Sequence, residues 1–401
     1  MFTDLALIGA VFQHPQFYLS ALRPWHVTAL ALGGTTLCGV MVFLATSDVS
    51  ARFYGLGLAG VALLWLKGMT RLAVWQPIAT APDLQRDVSA HGLIATLIIY
   101  WRLWKRQPAP GPCPLPNIAS EEDALLIVIQ CESFADPQDL FGAEETPLPG
   151  LAKARAQAWM AGQLAVSGFG AYTMRTEFGV LFGLSESALG LRRFDPFLTA
   201  ADSASWALPH RLGREAWTST FVHPHDLRFY GRHGLMPAAG FARIIGEESF
   251  AAPAPADGRY VTDAAMCDKL LTLATEAEGR HFLYAVTIEN HGPWSAGGAE
   301  GSGNKAEYLR LLAHSDAMLA RLLAEIPRLG RPVTLCFFGD HRPSIPAVSL
   351  PGGERHTPFV IVRFDTHGHP IRTSEPMRYL TPAELHGEIL AALASGNRQR
   401  K

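Results

Sequence analysis

The sequence predicts an α/β fold, with a mostly parallel sheet flanked by helices and an α-helical membrane anchor preceding it. Three observations carry this expectation. From Glu121 onward short β-rich apolar runs alternate with helical stretches, the pattern of parallel strands covered by helices. Val27 to Thr46 is a 20-residue run without a charge, long enough to cross a bilayer as a helix. Between them Gln107 to Pro116 (QPAPGPCPLP) is so rich in proline that it disfavours both helix and central strand, and it reads as a stiff linker.

The 401 residues leave room for one large domain and something smaller. Hydrophobic residues make up 48% and charged residues only 17%, with the apolar excess concentrated in the first hundred positions. A net charge of -2 and no basic stripe interleaved with aromatics give no case for nucleic-acid binding. The five cysteines (Cys38, Cys113, Cys131, Cys267 and Cys336) have no CxxC spacing and define no disulfide framework.

Taken in order, residues 1–106 read as the anchor, with one clear and one or two marginal transmembrane helices. After Val27–Thr46 comes Phe53 to Leu66, whose continuation is interrupted by Lys67 and Arg71. Val88 to Trp101 is a shorter third candidate, ending in Arg102, Lys105 and Arg106. Trp65, Trp75, Trp101 and Trp104 suit an aromatic belt. Cations stand at nearly every candidate end, so charge does not set the orientation. Asp4 and the absence of a basic n-region argue against a cleavable signal peptide. The linker occupies 107–120, the α/β domain 121–395 and a polar tail 396–401. Expected strands are Ala124–Gln130, Thr218–Val222, His281–Thr287, Val333–Phe338 and Pro358–Arg363; expected helices are Leu148–Leu164, Ala204–Arg214, Thr262–Glu278 and Ala306–Glu325. The patch Gly297 to Gly303 reads as a surface loop.

Chemistry concentrates where apolar runs end. Glu132-Ser133-Phe134 follows LLIVIQC, and Gly339-Asp340-His341 follows VTLCFF, with Gly339 permitting a tight turn. A carboxylate at the end of a buried strand must be paired or ligated, and Asp with His suits a divalent cation. The competing reading is an exposed loop acid and a satisfied histidine. SGFGAYTMRTEF holds two threonines, Thr173 and Thr176, before a helix over Phe178–Leu184; either is a helix N-cap or a nucleophile, and spacing does not separate them. Arg175 offers charge to a phosphate or pairs with Glu177. FVHPHDLRFYGRHG gathers His223, His225, Asp226, Arg228, Tyr230, Arg232 and His233, a polar surface loop or a ligand pocket with Phe229-Tyr230 as an aromatic wall. His291, after LYAVTI, is placed to donate a proton or to hold a phosphate oxygen. His356 precedes a strand and is a weaker candidate.

These strings resemble those of the lipoteichoic acid synthase-like phosphoglycerol transferases of the sulfatase/alkaline phosphatase superfamily, over roughly residues 124 to 365. The matching strings are Glu132-Ser133-Phe134, a Thr four residues before Glu177-Phe178, Phe229-Tyr230-Gly231-Arg232, Asn290-His291 with Trp294, and Gly339-Asp340-His341. The resemblance selects Thr173 over Thr176. It implies an alkaline phosphatase/sulfatase-like fold in which Glu132, Thr173, Asp340 and His341 bind one Mn²⁺ or Mg²⁺. Thr173 would attack phosphatidylglycerol, and His291 and Arg232 would hold the headgroup phosphate, with His223, Phe229 and Tyr230 lining the pocket. An envelope glycan or polymer hydroxyl would then accept the glycerophosphate. The resemblance also implies an inner-membrane protein with its catalytic domain extracytoplasmic (periplasmic). Met174-Arg175, His225 and Tyr230 depart from the family pattern, and the anchor is shorter than usual. A sulfatase of the usual kind needs Cys-x-Pro-x-Arg, which neither CPLPN nor CESFA supplies. Phosphoethanolamine transfer, phosphodiester hydrolysis and a non-catalytic, membrane-anchored envelope-glycan-binding protein are the alternatives.

Overall fold

The strands expected after Glu121 are present, parallel except for the one over Pro358–Arg363, which runs antiparallel to its neighbours, and the register of the parallel strands brings strand-end site strings to one edge. The computed structural model describes residues 24–43, 48–69, 78, 82–108, 110–114, 120–254, 258–294, 302–345, 348–349, 355–373 and 377–395. The polar tail, Trp75, most of the Gly-rich patch and part of the linker lie outside the described residues. The chain divides into two compact units, residues 1–108 with Gly190–Phe194, and the remainder.

In the first unit, α1 (Pro24–Phe43) and α2 (Val49–Met69) carry the first two apolar runs. Among the described residues no helix is long and apolar enough to cross a membrane. The predicted anchor therefore finds no support there. The third expected crossing is a helical hairpin instead. It breaks at Gly92 (φ 77°) into α3 (Leu84–His91) and α4 (Leu93–Trp104). The 12 residues of α4 rise about 18 Å, short of a hydrocarbon core of roughly 30 Å. Buried Asp87 accepts from Tyr100 Oη at 2.6 Å, and Tyr100 packs with Ile99, Ile78 and Leu191 in a small core of its own.

The second unit is built on eight strands: β1 (Leu125–Cys131), β2 (Met160–Ala165), β3 (Thr218–Val222), β4 (Arg243–Ile245), β5 (His281–Val286), β6 (Val333–Gly339), β7 (His356–Phe364) and β8 (Arg378–Leu380). Their order is β4-β3-β5-β1-β6-β7-β2-β8, and all pairings are parallel except the two made by β7. The centre is buried on both faces, and β1 divides by parity. Leu126 and Val128 join one core with Phe178, Phe182, Leu385 and Ile389; Leu125, Ile127 and Ile129 join the other with Met266, Leu270, Leu312 and Leu319. The covering helices are α5 (Pro149–Gln157), α6 (Thr173–Phe182), α7 (Arg232–Ala238), α8 (Asp263–Glu276), α9 (Ser302–Glu325) and α10 (Pro382–Ser395).

Two differences from the sequence expectation have clear causes. The expected helix Leu148–Leu164 stops at Gln157 and continues as β2, because Met160, Gly162 and Leu164 alternate into the core while the strand pairs with β7 and β8. Gly162 allows that approach: a Cβ there would stand 1.8 Å from the Arg378 carbonyl oxygen. The expected helix Ala204–Arg214 is a 3-10 turn and a short helix interrupted at Ala207 (ψ 148°), with Pro209 in the first turn of the second piece, where its missing N–H costs nothing but where it cannot continue a helix from Ser205.

Candidate active site

The central register assembles the site. Cys131 pairs with Gly339, Gln130 with Val286 and Val222 with Ala285, so Glu132, Asp340, Thr287 and His223 leave adjacent strands at the same carboxyl edge. Asp340 N–H donates to Cys131 O at 3.3 Å, and Glu132 N–H donates to Thr287 Oγ1 at 3.0 Å. Gly339 is needed for close packing rather than for a tight turn: a Cβ would lie 1.9 Å from the Phe134 carbonyl oxygen.

Glu132, Asp340 and His341 are all buried, and their ligand atoms lie within 4.8 Å of one another. His341 Nε2 is 3.4 Å from Glu132 Oε1 and 3.5 Å from Asp340 Oδ2. The imidazole donates from Nδ1 to the Arg342 carbonyl at 3.1 Å, which turns the Nε2 lone pair toward the two carboxylates. Asp340 Oδ1 accepts from the Ser133 and His341 amides, each at 2.8 Å, whereas Oδ2 is buried with no hydrogen-bond partner. Burial, then the Asp340 charge, pushes the Glu132 carboxyl well above the usual range. Two buried carboxylates and an imidazole lone pair facing one another, with Asp340 Oδ2 lacking any donor, are costly alone and favourable around a cation, so these residues fit a divalent ion held by oxygen and nitrogen.

Ser133 ties the cluster together. In the left-handed region (φ 51°), it donates its amide to Asp340 Oδ1 and its hydroxyl to Glu132 Oε1 at 2.9 Å, while its carbonyl accepts from Tyr308 Oη at 3.0 Å. Ser133→Gly keeps the left-handed backbone accessible and removes the CH2OH group that carries the hydroxyl, so it is expected to weaken Mn²⁺ binding by about tenfold or more. Calorimetric titration of the full chain checks this; unchanged affinity would show that the hydroxyl does not orient Glu132.

Thr173 is the first residue of α6, after Tyr172 in the left-handed conformation (φ 71°), so the helix starts earlier than expected. Tyr172 is the N-cap residue and no side chain caps the helix, so the Thr173 hydroxyl is not used as a cap. Thr176 Oγ1 donates to the Asp340 carbonyl at 2.8 Å, which ties the first turns of α6 to the cluster; Thr173, three residues earlier, lies on the same helix face. Arg175 pairs with Glu186 at 2.6 Å rather than with Glu177.

Glu177 instead grips Arg232, Nη2 to Oε2 at 2.5 Å and Nε to Oε1 at 3.2 Å, with both side chains buried. Burial works against the Arg232 charge, and the Glu177 carboxylate more than offsets it. Arg232 Nη1 also faces His223 Nε2 at 3.4 Å, and His223 donates from Nδ1 to the Val286 carbonyl at 3.0 Å. Burial and then the Arg232 cation keep His223 well below its ordinary pKa, hence neutral. The predicted pocket residues are thus brought together, but the guanidinium is already engaged by a carboxylate. Tyr230 (φ 58°) lies over Arg232, 5.3 Å from ring centre to guanidinium, and its ring is 4.2 Å from that of Phe229.

His291 is partly buried and donates from Nδ1 to the Gly292 carbonyl at 2.7 Å. Burial, with His341 and Arg259 nearby, lowers its pKa to about 4. A neutral ring with Nδ1 protonated presents an acceptor at Nε2, so the expected donor role is reversed near neutral pH. His356 sits apart, against Arg342 and Asp139. Sequence reasoning missed Ser133 as an organiser, since no spacing announces a left-handed serine.

Comparison with known proteins agrees with this architecture. The family model described as Sulfatase matches residues 124–382. The capsular polysaccharide biosynthesis protein RkpI of Rhizobium meliloti (strain 1021) is 32% identical over 389 residues, covering 90% of this chain and 72% of that protein. Among solved structures, Streptococcus pyogenes phosphoglycerol transferase GacH in complex with sn-glycerol-1-phosphate superposes with a TM-score of 0.52 at 18% identity, over 78% of this chain and 82% of that one. The integral membrane lipooligosaccharide phosphoethanolamine transferase A (EptA) of Neisseria meningitidis gives a TM-score of 0.52 at 12% identity, over 93% and 76%.

Proposed function

Because the chain belongs to the sulfatase family, we propose that it is a metal-dependent phosphoglycerol transferase that moves glycerophosphate from phosphatidylglycerol to a hydroxyl of an envelope glycan or polymer. The observation that carries this proposal is the buried Glu132–Asp340–His341 acceptor cluster, whose Asp340 carbonyl is held by the helix that opens on Thr173.

Glu132, Asp340, His341 and the Thr173 hydroxyl would hold one divalent cation, Mn²⁺ or Mg²⁺. When bound, the cation supplies Lewis acidity and offsets charge at the phosphoryl group. Thr173 Oγ1 attacks phosphorus, the bond from phosphorus to the diacylglycerol oxygen breaks, and diacylglycerol leaves with the proton the threonine gives up. An acceptor hydroxyl then displaces the threonine oxygen, which regains a proton as glycerophosphate is transferred. Phe229 and Tyr230 wall the glycerol. His291 Nε2 accepts from a reacting or headgroup hydroxyl, and buried Arg232 contributes positive charge that reaches Glu132.

The acceptor class is supported by the relative RkpI, described for capsular polysaccharide biosynthesis. Phosphoethanolamine transfer is the second reading, favoured by the fold shared with EptA; the aromatic pair ahead of Arg232 favours glycerol. The completeness of the set Glu132, Thr173, Asp340 and His341 argues against a non-catalytic binding protein. Mass spectrometry of the full chain incubated with Mn²⁺ and phosphatidylglycerol tests the proposal. A glycerophosphate adduct on Thr173 supports it, and a phosphoethanolamine adduct formed only from phosphatidylethanolamine would replace it with the second reading.

An inner-membrane location with a periplasmic catalytic domain is proposed alongside. Apolar residues of α2 are exposed around the helix, including Phe53, Leu56, Leu58, Val61 and Leu64, a distribution suited to lipid contact. The full chain is expected to stay with the membrane pellet through carbonate washing; release into the soluble fraction would refute the location.

A further inference from the structure

Tyr260 stands between two histidines of the candidate site. Its ring meets His291 edge-on at 5.8 Å and His225 at 6.1 Å. Arg259 lies over the same ring at 4.4 Å and donates to the Gly292 carbonyl at 2.5 Å, the oxygen that also accepts from His291 Nδ1. The segment before α8 is therefore fastened to the His291 loop, and the tyrosine is held in place from three sides. Yet its hydroxyl is buried with no hydrogen-bond partner among the described residues. A desolvated O–H without an acceptor costs on the order of 1–3 kcal/mol, and a group fixed at that cost next to a reacting centre has a use.

We infer that Tyr260 is a substrate-binding residue whose O–H donates to a phosphoryl oxygen of the group handled at the Glu132–Asp340–His341 cluster. The inference rests on the phosphotransferase reading above. Its chemistry suits the surroundings. Burial, despite the nearby Arg259 cation, raises the phenol well above its ordinary pKa, with Glu132 adding to the rise, so the group remains a protonated donor throughout the neutral range. Of the histidines in this group, His223 and His291 are both neutral by burial and each uses its Nδ1 on a backbone carbonyl. Arg232 is committed to Glu177. Tyr260 is thus a hydrogen-bond donor in this group that the protein itself does not already use.

Tyr260→Phe removes one oxygen and keeps the ring contacts. Binding of sn-glycerol-1-phosphate and of inorganic phosphate to the Mn²⁺-loaded full chain is measured by calorimetry, with Mn²⁺ affinity and melting temperature followed in parallel. Expected is about a tenfold loss for both phosphate ligands, with Mn²⁺ affinity unchanged and melting temperature unchanged or raised, because an orphaned hydroxyl has been removed. Unchanged phosphate affinity overturns the inference while leaving the transferase reading intact. A loss confined to sn-glycerol-1-phosphate overturns it in favour of a glycerol hydroxyl as partner. A lower melting temperature assigns the hydroxyl a structural role and overturns it too. If the wild-type protein binds Mn²⁺ but neither phosphate ligand, the transferase reading falls and Tyr260 loses its partner with it.

Discussion

Thr173→Ala is expected to reduce transfer from a fluorescent phosphatidylglycerol analogue by about 10⁴-fold or more, the scale seen when a covalent nucleophile is removed. The fold should survive the change. Thr173 is the first helical residue of α6 and its hydroxyl caps nothing, so its loss forfeits no hydrogen bond of the helix start. The three ligands with titratable side chains also remain, so Mn²⁺ binding should persist. Thr176→Ala is the control, because its hydroxyl already donates to the Asp340 carbonyl and is not available as a nucleophile. That variant is expected to lose about 1 kcal/mol of stability and to keep measurable activity. Equal loss of activity in both variants, with melting temperatures preserved, would mean that Thr173 is not the nucleophile.

Arg232→Met is expected to produce the largest stability loss of any single change in the pocket, about 3–5 kcal/mol in urea unfolding. The reason lies in what remains. Glu177 is fully buried, its two oxygens are matched to Nε and Nη2 of Arg232, and without that fork its carboxylate has no counter-charge. Glu177→Leu combined with Arg232→Met should recover much of the loss, since a buried ion pair replaced whole costs far less than one broken. Activity should not recover with it, because the positive charge felt at Glu132 is gone. A single variant as stable as the wild type would show that the pair is not desolvated in solution.

What could be read from the sequence follows from which interactions are local. β1, β5 and β6 were legible because each is a short, largely apolar and buried run, β3 because Thr218–Val222 is β-branched and aromatic, and the strings following them were legible because a polar residue just past such a run has nowhere else to go. β2 was not, since its character comes from pairing with β7 and β8, near in space and remote in sequence. The Glu132, Asp340 and His341 strings needed only strand ends to be found. Glu177 as the partner of Arg232 was hidden, because Arg175 two residues away was the nearer charge and its true partner, Glu186, is 11 residues on. The choice of Thr173 over Thr176 came from resemblance; the structure adds that Thr176 is already occupied. Ser133 and Tyr260 owe their places to a backbone angle and to an aromatic sandwich, and neither leaves a trace in local composition.

The pairing of Cys131 with Gly339 also bears on the order in which the molecule is made. Glu132 and Asp340 come from parts of the chain some two hundred positions apart, and they meet only when β1 and β6 have closed a long loop in correct alignment. Such non-local closure is slow and its entropy must be met before any contact rewards it. A cation therefore cannot nucleate this sheet. It can only reward a chain that has already found its register, so metal occupancy marks completion of folding rather than its beginning.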